Sequence, residues 1–377
     1  MSIESAVVVV VGAGFAGTTV VSALSSKLDS SKYHIVLINP RPYAIPLPAS
    51  LRLIVSEAAN LERTALVPLD RIYRKASGEI KIGIVKSIEP KDAQSGGHVV
   101  LETGERIPYE ILIIASGSIW KGPIEFPLHE TDVLPHIRTW RSKFANANHT
   151  VIVGGGALGV ELAGELKDEY PGKRVTIVQG DRQLLNSTYP SSFRRGLATR
   201  LLARGIELLF NEYVDSFPEQ GSVGLVTRKG TEIPDADLVV SARGPSPNTA
   251  FAASLGSSTL SPSGFIRVKP TLQVVDHPRI FAVGDVIEWP EQKQAAKVAP
   301  HAKVVVQNVL NVLAGENDAL VSYQGSAELI VITNGRNGGM SYFPFLGGIT
   351  LGDFWTRLLK SRGLMIVMFT FCSNLGY

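Results

Sequence analysis

Six glycines in two triplets of identical spacing are the residues of this chain best placed to do chemistry. Gly12, Gly14 and Gly17 form one Gly-x-Gly-x-x-Gly turn, and Gly154, Gly156 and Gly159 form a second. In such a turn the first glycine permits a tight bend and the second lets backbone approach a pyrophosphate. The third lets a helix pack closely on a strand, so that N–H groups at the helix start aim at phosphate oxygens. One copy is a weak signal, equally explained by an ordinary strand-to-helix connection; two in matching contexts point to two dinucleotides. The 377 residues include a single cysteine, Cys372, so no internal disulfide or Cys-x-x-Cys pair can relay electrons between them. That cysteine usage fits a reducing compartment. Among the seven histidines no Ser/His/Asp set or metal-ligand cluster is evident, and no metal is expected.

The elements that must position these turns are legible as hydrophobic runs. An apolar stretch at 6–11 reads as a buried parallel strand before the first turn, and 18–28 as the helix after it; 150–153 and 157–166 repeat the arrangement. Residues 33–38 give a second parallel strand, followed by a proline-rich loop at 40–48 that cannot enter a sheet interior. Segments 80–87 and 98–101 read as antiparallel strands around a polar loop, and 111–115 closes the unit at Ser116-Gly117-Ser118. In the second unit 174–178 follows the glycine helix, 223–227 opens a hairpin and 238–242 ends it. The strand, helix, strand, hairpin, strand order thus occurs twice, a repeat of a domain and not of a solenoid unit. A strand at 280–283 then ends in Gly284-Asp285 and precedes a long helix expected at about 293–313.

Composition agrees with a soluble enzyme of two or three domains: 45% hydrophobic, 19% charged, net charge +3. Because the positive charge forms no basic run, no specific nucleic-acid partner is expected. Residues 1–6 lead into the first strand without a signal-peptide or presequence pattern, and Ser2 in place of glycine argues against N-myristoylation. The expected location is cytoplasmic, with peripheral contact on a cytosolic membrane face left open. Oligomeric state is not legible.

Together the two glycine turns, Ala115 to Gly117 and the late Gly284-Asp285 resemble the two-dinucleotide flavoproteins of the pyridine nucleotide-disulfide oxidoreductase superfamily. Within it the chain is similar to the apoptosis-inducing-factor-like and ferroptosis-suppressor-like branch, on the stretches Pro48-Ala49-Ser50-Leu51-Arg52, Gly335-Arg336-Asn337-Gly338-Gly339 and Leu359-Lys360-Ser361-Arg362. Type II NADH dehydrogenases are similar through the helix from Gly159 to Glu165. The resemblance implies an α/β fold of two Rossmann-like domains, the nicotinamide domain inserted in the FAD domain, plus a small α+β C-terminal domain. Expected boundaries are 1–120 and 245–318 for FAD, 121–244 for NAD(P)H and 319–377 for the last domain. FAD contacts are implied for Gly12, Gly14, Phe15, Ala16, Gly17, Asn39, Arg52, Ser116, Gly117, Gly284 and Asp285, with Asp285 on the ribityl chain or, alternatively, capping the next segment. NAD(P)H contacts are implied for Gly154, Gly156, Gly159, Gln179 and Arg182.

Two positions depart from the family pattern. The acid that ends the second strand and holds the adenosine ribose is Asn39 in the first unit, which can still hydrogen-bond but without charge assistance. In the second unit it is Gln179, so nothing there repels a 2′-phosphate; NADPH is permitted, and Arg182 either assists it or faces solvent. Three residues are candidates for catalysis. Glu161 is placed by the resemblance near the nicotinamide, with Glu165 four residues on suited to a solvated helix face. Lys297 and His301 open the late helix, where they could approach the flavin or acceptor, His301 being equally well a packed helix residue. Lys121 is a weaker candidate for the same region.

The region from about 321 is expected to supply one wall of the acceptor site, with Phe343, Phe345 and Phe354 among its aromatics. Its apolar run at 364–371 reads as a core strand with Trp355 packed nearby, a membrane or quinone contact being the alternative. Three functions follow. The leading one is an FAD-dependent oxidoreductase passing hydride from NAD(P)H to flavin and electrons to a quinone-like acceptor. The others are a flavoenzyme of specialised metabolism acting on a particular small molecule or oxygen, and a nucleotide-responsive signalling protein with little turnover.

Overall fold

A computed structural model describes residues 5–73, 77–92, 95–219 and 221–372. Strand β1 (Ala6–Val11) leads through the first glycine turn into helix α1 (Phe15–Ser25), and the chain returns as β2 (Tyr33–Asn39). Helix α2 (Leu47–Val55) follows, then β3 (Ser77–Ile82) and β4 (Ile111–Ile114). Val8, Val9 and Val10 of β1 are fully buried, as a strand with parallel neighbours on both sides and helices across its faces requires.

Helix α3 (Glu130–Asn146) leads to a second unit: β5 (His149–Val153), α4 (Ala157–Glu169), β6 (Arg174–Gln179), α5 (Ser191–Ala203), β7 (Ile206–Phe210) and β8 (Leu238–Ser241). These four strands form one parallel sheet in the order β7-β6-β5-β8. Strands β9 (Gln273–Val274) and β10 (His277–Ala282) then return to the first sheet, giving the order β9-β10-β4-β1-β2-β3. Helix α6 (Val298–Leu313) packs on α1. A three-stranded antiparallel sheet, β11 (Ile330–Thr333), β12 (Gly339–Phe343) and β13 (Ile349–Leu351), is followed by α7 (Asp353–Thr356), a π turn at Arg357–Ser361 and α8 (Ile366–Cys372).

Several sequence expectations are corrected. The segment 80–87 is not one strand: it breaks at Gly83, whose N–H donates to the Asn39 carbonyl, so that β3 extends the parallel sheet while Val85–Pro90 turns away into an antiparallel sheet. Likewise the hairpin after β7 is Leu225–Val226 against Glu232–Ile233, whereas β8 is a parallel neighbour of β5. Neither β3, parallel to β2, nor β7, parallel to β6, shows as a parallel strand in the sequence. The late helix starts at Val298, after a single turn at Ala295–Lys297.

Most consequentially, the terminal apolar run is helical. Phe369 of α8 is fully buried, edge-on to Phe15 with ring centroids 4.7 Å apart, while Val367 and Met368 are exposed. The side chains of 371 and 372 lie outside the described residues. Phe354, Trp355, Leu358 and Leu359 are also exposed, so Trp355 does not pack into a core. Among the described residues no helix is long and apolar enough to cross a membrane.

Candidate functional site

The two glycine turns are built alike. Gly12 and Gly154 have φ of +101° and +126°, and a Cβ on either would stand 2.5 Å from a carbonyl oxygen of the neighbouring strand end, Ala115 or Ala242. A Cβ on Gly17 or Gly159 would come within 1.8 or 1.9 Å of the Gly12 or Gly154 carbonyl oxygen, so helix and turn pack with no room for a side chain. Gly14 and Gly156 are different: a Cβ there meets nothing within 4 Å. Both face a single cleft of about 940 Å³ between the two parallel sheets, a size at the upper end of ordinary small-molecule sites.

The residues ending β2 and β6 hold these turns from behind. Asn39 Oδ1 accepts the Ala13 N–H at 3.1 Å, and Gln179 Oε1 accepts the Gly155 N–H at 2.8 Å. Their amide nitrogens donate to loop carbonyls, Asn39 to Arg41 and Tyr43 and Gln179 to Gln183. Asn39 is buried and does not line the cleft; Gln179 does. A carboxylate at position 39 could accept the Ala13 N–H but would face two carbonyl oxygens with no proton to offer, which is a physical reason for the amide.

Asp285 lines the cleft beside Gly284, Gly117 and Ser118, and the Ser118 hydroxyl donates to its Oδ2 at 2.8 Å. Burial pushes the Asp285 carboxyl above the usual carboxylate range, with the Ser118 bond opposing it. Ser116 does not face the cleft: its hydroxyl donates to the Asn248 carbonyl at 2.5 Å. Behind Gly284 stands the group proposed from sequence as catalytic. His301 Nδ1 accepts the Gly284 N–H at 3.2 Å, so its proton sits on Nε2, which donates to Glu291 Oε1 at 2.8 Å. Tyr323 donates to the other Glu291 oxygen at 2.7 Å. Although burial pushes Glu291 up, these two bonds hold it below the usual carboxylate range. Lys297 Nζ donates to the Ser326 and Ala327 carbonyls and pairs with Glu328 at 3.1 Å.

His301 and Lys297, at 1% and 2% exposed, therefore support the Gly284 turn and the start of α6 and do not reach the cleft, which corrects the reading that they approach flavin or acceptor. What faces the cleft from that segment is Lys293, Gln294, Ala295, Ala296 and Val298, the turn leading into α6. Lys121 is exposed and off the cleft.

The glutamates of α4 divide differently from expectation. Glu161 lines the cleft, where its Oε1 accepts the Thr333 N–H at 2.9 Å and pairs with Lys360 from the C-terminal region, itself a cleft residue. Glu165 is not on a solvated face. At 3% exposed it forms a two-pronged ion pair with Arg52 of α2, Nε to Oε2 and Nη2 to Oε1, both 2.8 Å, and Arg52 also donates to the Ser361 carbonyl at 2.9 Å. Arg52 thus ties α2, α4 and the C-terminal turn together and does not line the cleft, correcting its assignment to cofactor binding. Arg182 is exposed and off the cleft as well; its N–H donates to Asp181 Oδ1.

Sequence reasoning missed Trp120, Tyr189, Gln294, Glu212 and Lys360, all on the cleft. Apart from Lys360, which lies in the π turn at Arg357–Ser361 and in one of the stretches that carry the resemblance, they come from loops and turns whose spacing carries no signal. Trp120 Nε1 and Gln294 Oε1 are buried without a hydrogen-bond partner in the protein, a donor and an acceptor left for a bound molecule. The C-terminal region does supply a wall, but with Leu329, Ile330, Val331, Lys360 and Met365; Phe343, Phe345 and Phe354 are off the cleft.

Comparison with known proteins agrees with this geometry. The sequence profile of the family described as pyridine nucleotide-disulphide oxidoreductase matches residues 6–299. The FAD-dependent oxidoreductase FVFD30 of Flammulina velutipes is 42% identical over 314 residues, 83% of this chain and 97% of the relative. Ferroptosis suppressor protein 1 of Taeniopygia guttata is 32% identical over 379 residues, 97% of this chain and 95% of the relative. Among solved structures, the sulfide:quinone oxidoreductase of Aquifex aeolicus superposes with a TM-score of 0.77 at 20% identity, over 99% of this chain and 92% of that one. With its paired glycine turns, its two parallel sheets and these relatives, the chain belongs to the pyridine nucleotide-disulphide oxidoreductase family, among homologues of ferroptosis suppressor protein 1 and apoptosis-inducing factor.

Proposed function

We propose that the protein is an FAD-dependent oxidoreductase that takes hydride from NAD(P)H and passes electrons to a quinone-like acceptor without a redox disulfide. The observation carrying this reading is that Gly14 and Gly156, the open position of each glycine turn, face one shared cleft. In this reading residues 1–120 and 245–318 hold FAD, 121–244 hold the nicotinamide nucleotide, and 319–377 close the acceptor side. The single cysteine leaves no dithiol to intervene, and the fungal relative named as FAD-dependent matches most of the chain.

The residues present fit these groups. Each glycine cradle leaves N–H donors at a helix start, Asp285 can accept a ribityl hydroxyl beside Ser118, and Trp120 Nε1 and Gln294 Oε1 are unpartnered. Bound FAD would supply the acceptance of hydride and its release as electrons. The protein supplies placement and charge. The turn Ala295–Lys297 that leads into α6 lines the cleft, so the positive end of the α6 dipole lies on that side and favours anionic ligands. Glu161, fixed by the Thr333 N–H, holds the Lys360 ammonium in the cleft wall, where Nζ can deliver a proton or stabilise negative charge. Leu329, Ile330, Val331 and Met365 make that wall apolar, which excludes water and suits a flat, apolar acceptor. Purified protein should show a flavin spectrum, bleach anaerobically with NADH or NADPH, and recover faster with a soluble quinone than with air. Protein that binds no flavin, or flavin that neither nucleotide bleaches, overturns the reading.

A further inference from the structure

Beside the second glycine turn, at the ends of β6 and β7, the cleft carries a specific charge arrangement. Gln179 ends β6 without an acid, and both ends of its amide are used within the protein. Strand β7 pairs in register with β6, Phe210 opposite Gln179, so Glu212 emerges next to Gly180 and Asp181. Its N–H donates to the Gln179 carbonyl at 3.1 Å, which fixes the backbone there. Glu212 lines the cleft; its Oε1 accepts the Thr231 hydroxyl at 3.0 Å, while its Oε2 is buried with no hydrogen-bond partner. An unsatisfied buried carboxylate oxygen is costly unless a ligand donor completes it.

The other charges at this end are already engaged. Asp181 accepts from Arg194, and Arg228 forms a two-pronged pair with Asp215 while lying over the Tyr213 ring. Arg243 arises after β8, on the opposite side of the glycine turn, and reaches across to the Val214 carbonyl.

We infer that Glu212, two residues past the end of the strand next to the one where the family pattern places its acid, holds the adenosine ribose through the 2′-hydroxyl and makes the enzyme select NADH over NADPH. The carboxylate accepts that hydroxyl and repels a 2′-phosphate. This rests on the second glycine turn taking a nicotinamide nucleotide. The test uses the adenosine half alone: titration calorimetry of ADP-ribose and of its 2′-phosphate against the flavin-loaded protein and its Glu212→Gln variant, with thermal melts as a folding control. Expected are at least about ten-fold tighter binding of ADP-ribose by the natural protein, and loss of about ten-fold of that affinity in E212Q. The KM for NADH should rise by a similar factor while the rate at saturation stays within about two-fold, because a remote group contributes uniform binding. Equal or tighter binding of the 2′-phosphate by the natural protein, or E212Q binding ADP-ribose within about two-fold of it, overturns the inference alone. Failure of both fragments, and of NADH, to bind overturns the nicotinamide reading together with it.

Discussion

Replacing Arg52 by methionine tests whether that residue belongs to the scaffold or to the cofactor site. In the structure it makes three charge-assisted hydrogen bonds, two to Glu165 and one to the Ser361 carbonyl, with both side chains of the pair less than a tenth exposed. Methionine fills similar volume but strands a buried carboxylate, a change that costs about 3–5 kcal/mol. At about 2–4 °C per kcal/mol for a cooperative unit of 150–250 residues, the melting temperature should fall by at least roughly 6 °C. The double variant Arg52→Met, Glu165→Leu should recover most of that loss, because no unpaired charge remains. Sign also follows from Glu165. Burial already raises its carboxyl above the usual range despite Arg52. A raised folded-state value favours folding below the unfolded value, and that contribution is lost as pH rises through the folded one. Removing Arg52 raises it further, so the deficit of the single variant should be smaller at about pH 5 than at about pH 8. Differential scanning calorimetry at both pH values, with flavin content measured alongside, decides it. A single variant that melts normally but loses flavin, or a double variant no more stable than the single, refutes the reasoning.

Three further outcomes can be checked with the same preparations. Gly14→Ala should fold and melt normally yet retain less flavin, since its Cβ meets only the cleft, whereas Gly17→Ala should fail to yield stable protein because its Cβ would stand 1.8 Å from the Gly12 carbonyl oxygen; equal behaviour of the two in expression and flavin content contradicts the cradle geometry. Asn39→Asp should destabilise the protein by about 1–3 kcal/mol in urea melts, because it replaces a donor to two carbonyls by a carboxylate, and an unaltered or improved melt would show that the amide is not needed there. Glu161→Gln keeps an acceptor for Thr333 but releases Lys360, so stopped-flow flavin reduction should slow by about ten- to a hundred-fold with flavin content unchanged, and an unchanged rate would remove the pair from the mechanism.

The paired dinucleotide cradles were legible in the sequence because their requirements are local. A Cβ at Gly12, Gly17, Gly154 or Gly159 collides with backbone a few residues away or at the adjoining strand end, so spacing alone reports the geometry. The buried strands at 6–11 and 150–153 were legible too, because their nearly continuous apolar runs leave no polar face for solvent. Tertiary structure decided what the charged residues do. Glu161 and Glu165 share a helix face and a spacing, yet one meets Lys360 at the cleft and the other Arg52 in the core, since different elements pack against successive turns of α4. Lys297 and His301 have the residue types of catalytic groups, but the turn before α6 points Lys297 at Glu328 and the first turn of α6 points His301 at Glu291. The terminal run gave no period that separates a short buried strand from a helix, and the packing of Phe369 on Phe15 settled it as helix. Glu212 was invisible for a related reason: it stands thirty-three residues past Gln179 in the chain, and only the parallel pairing of β6 with β7 sets the two side by side.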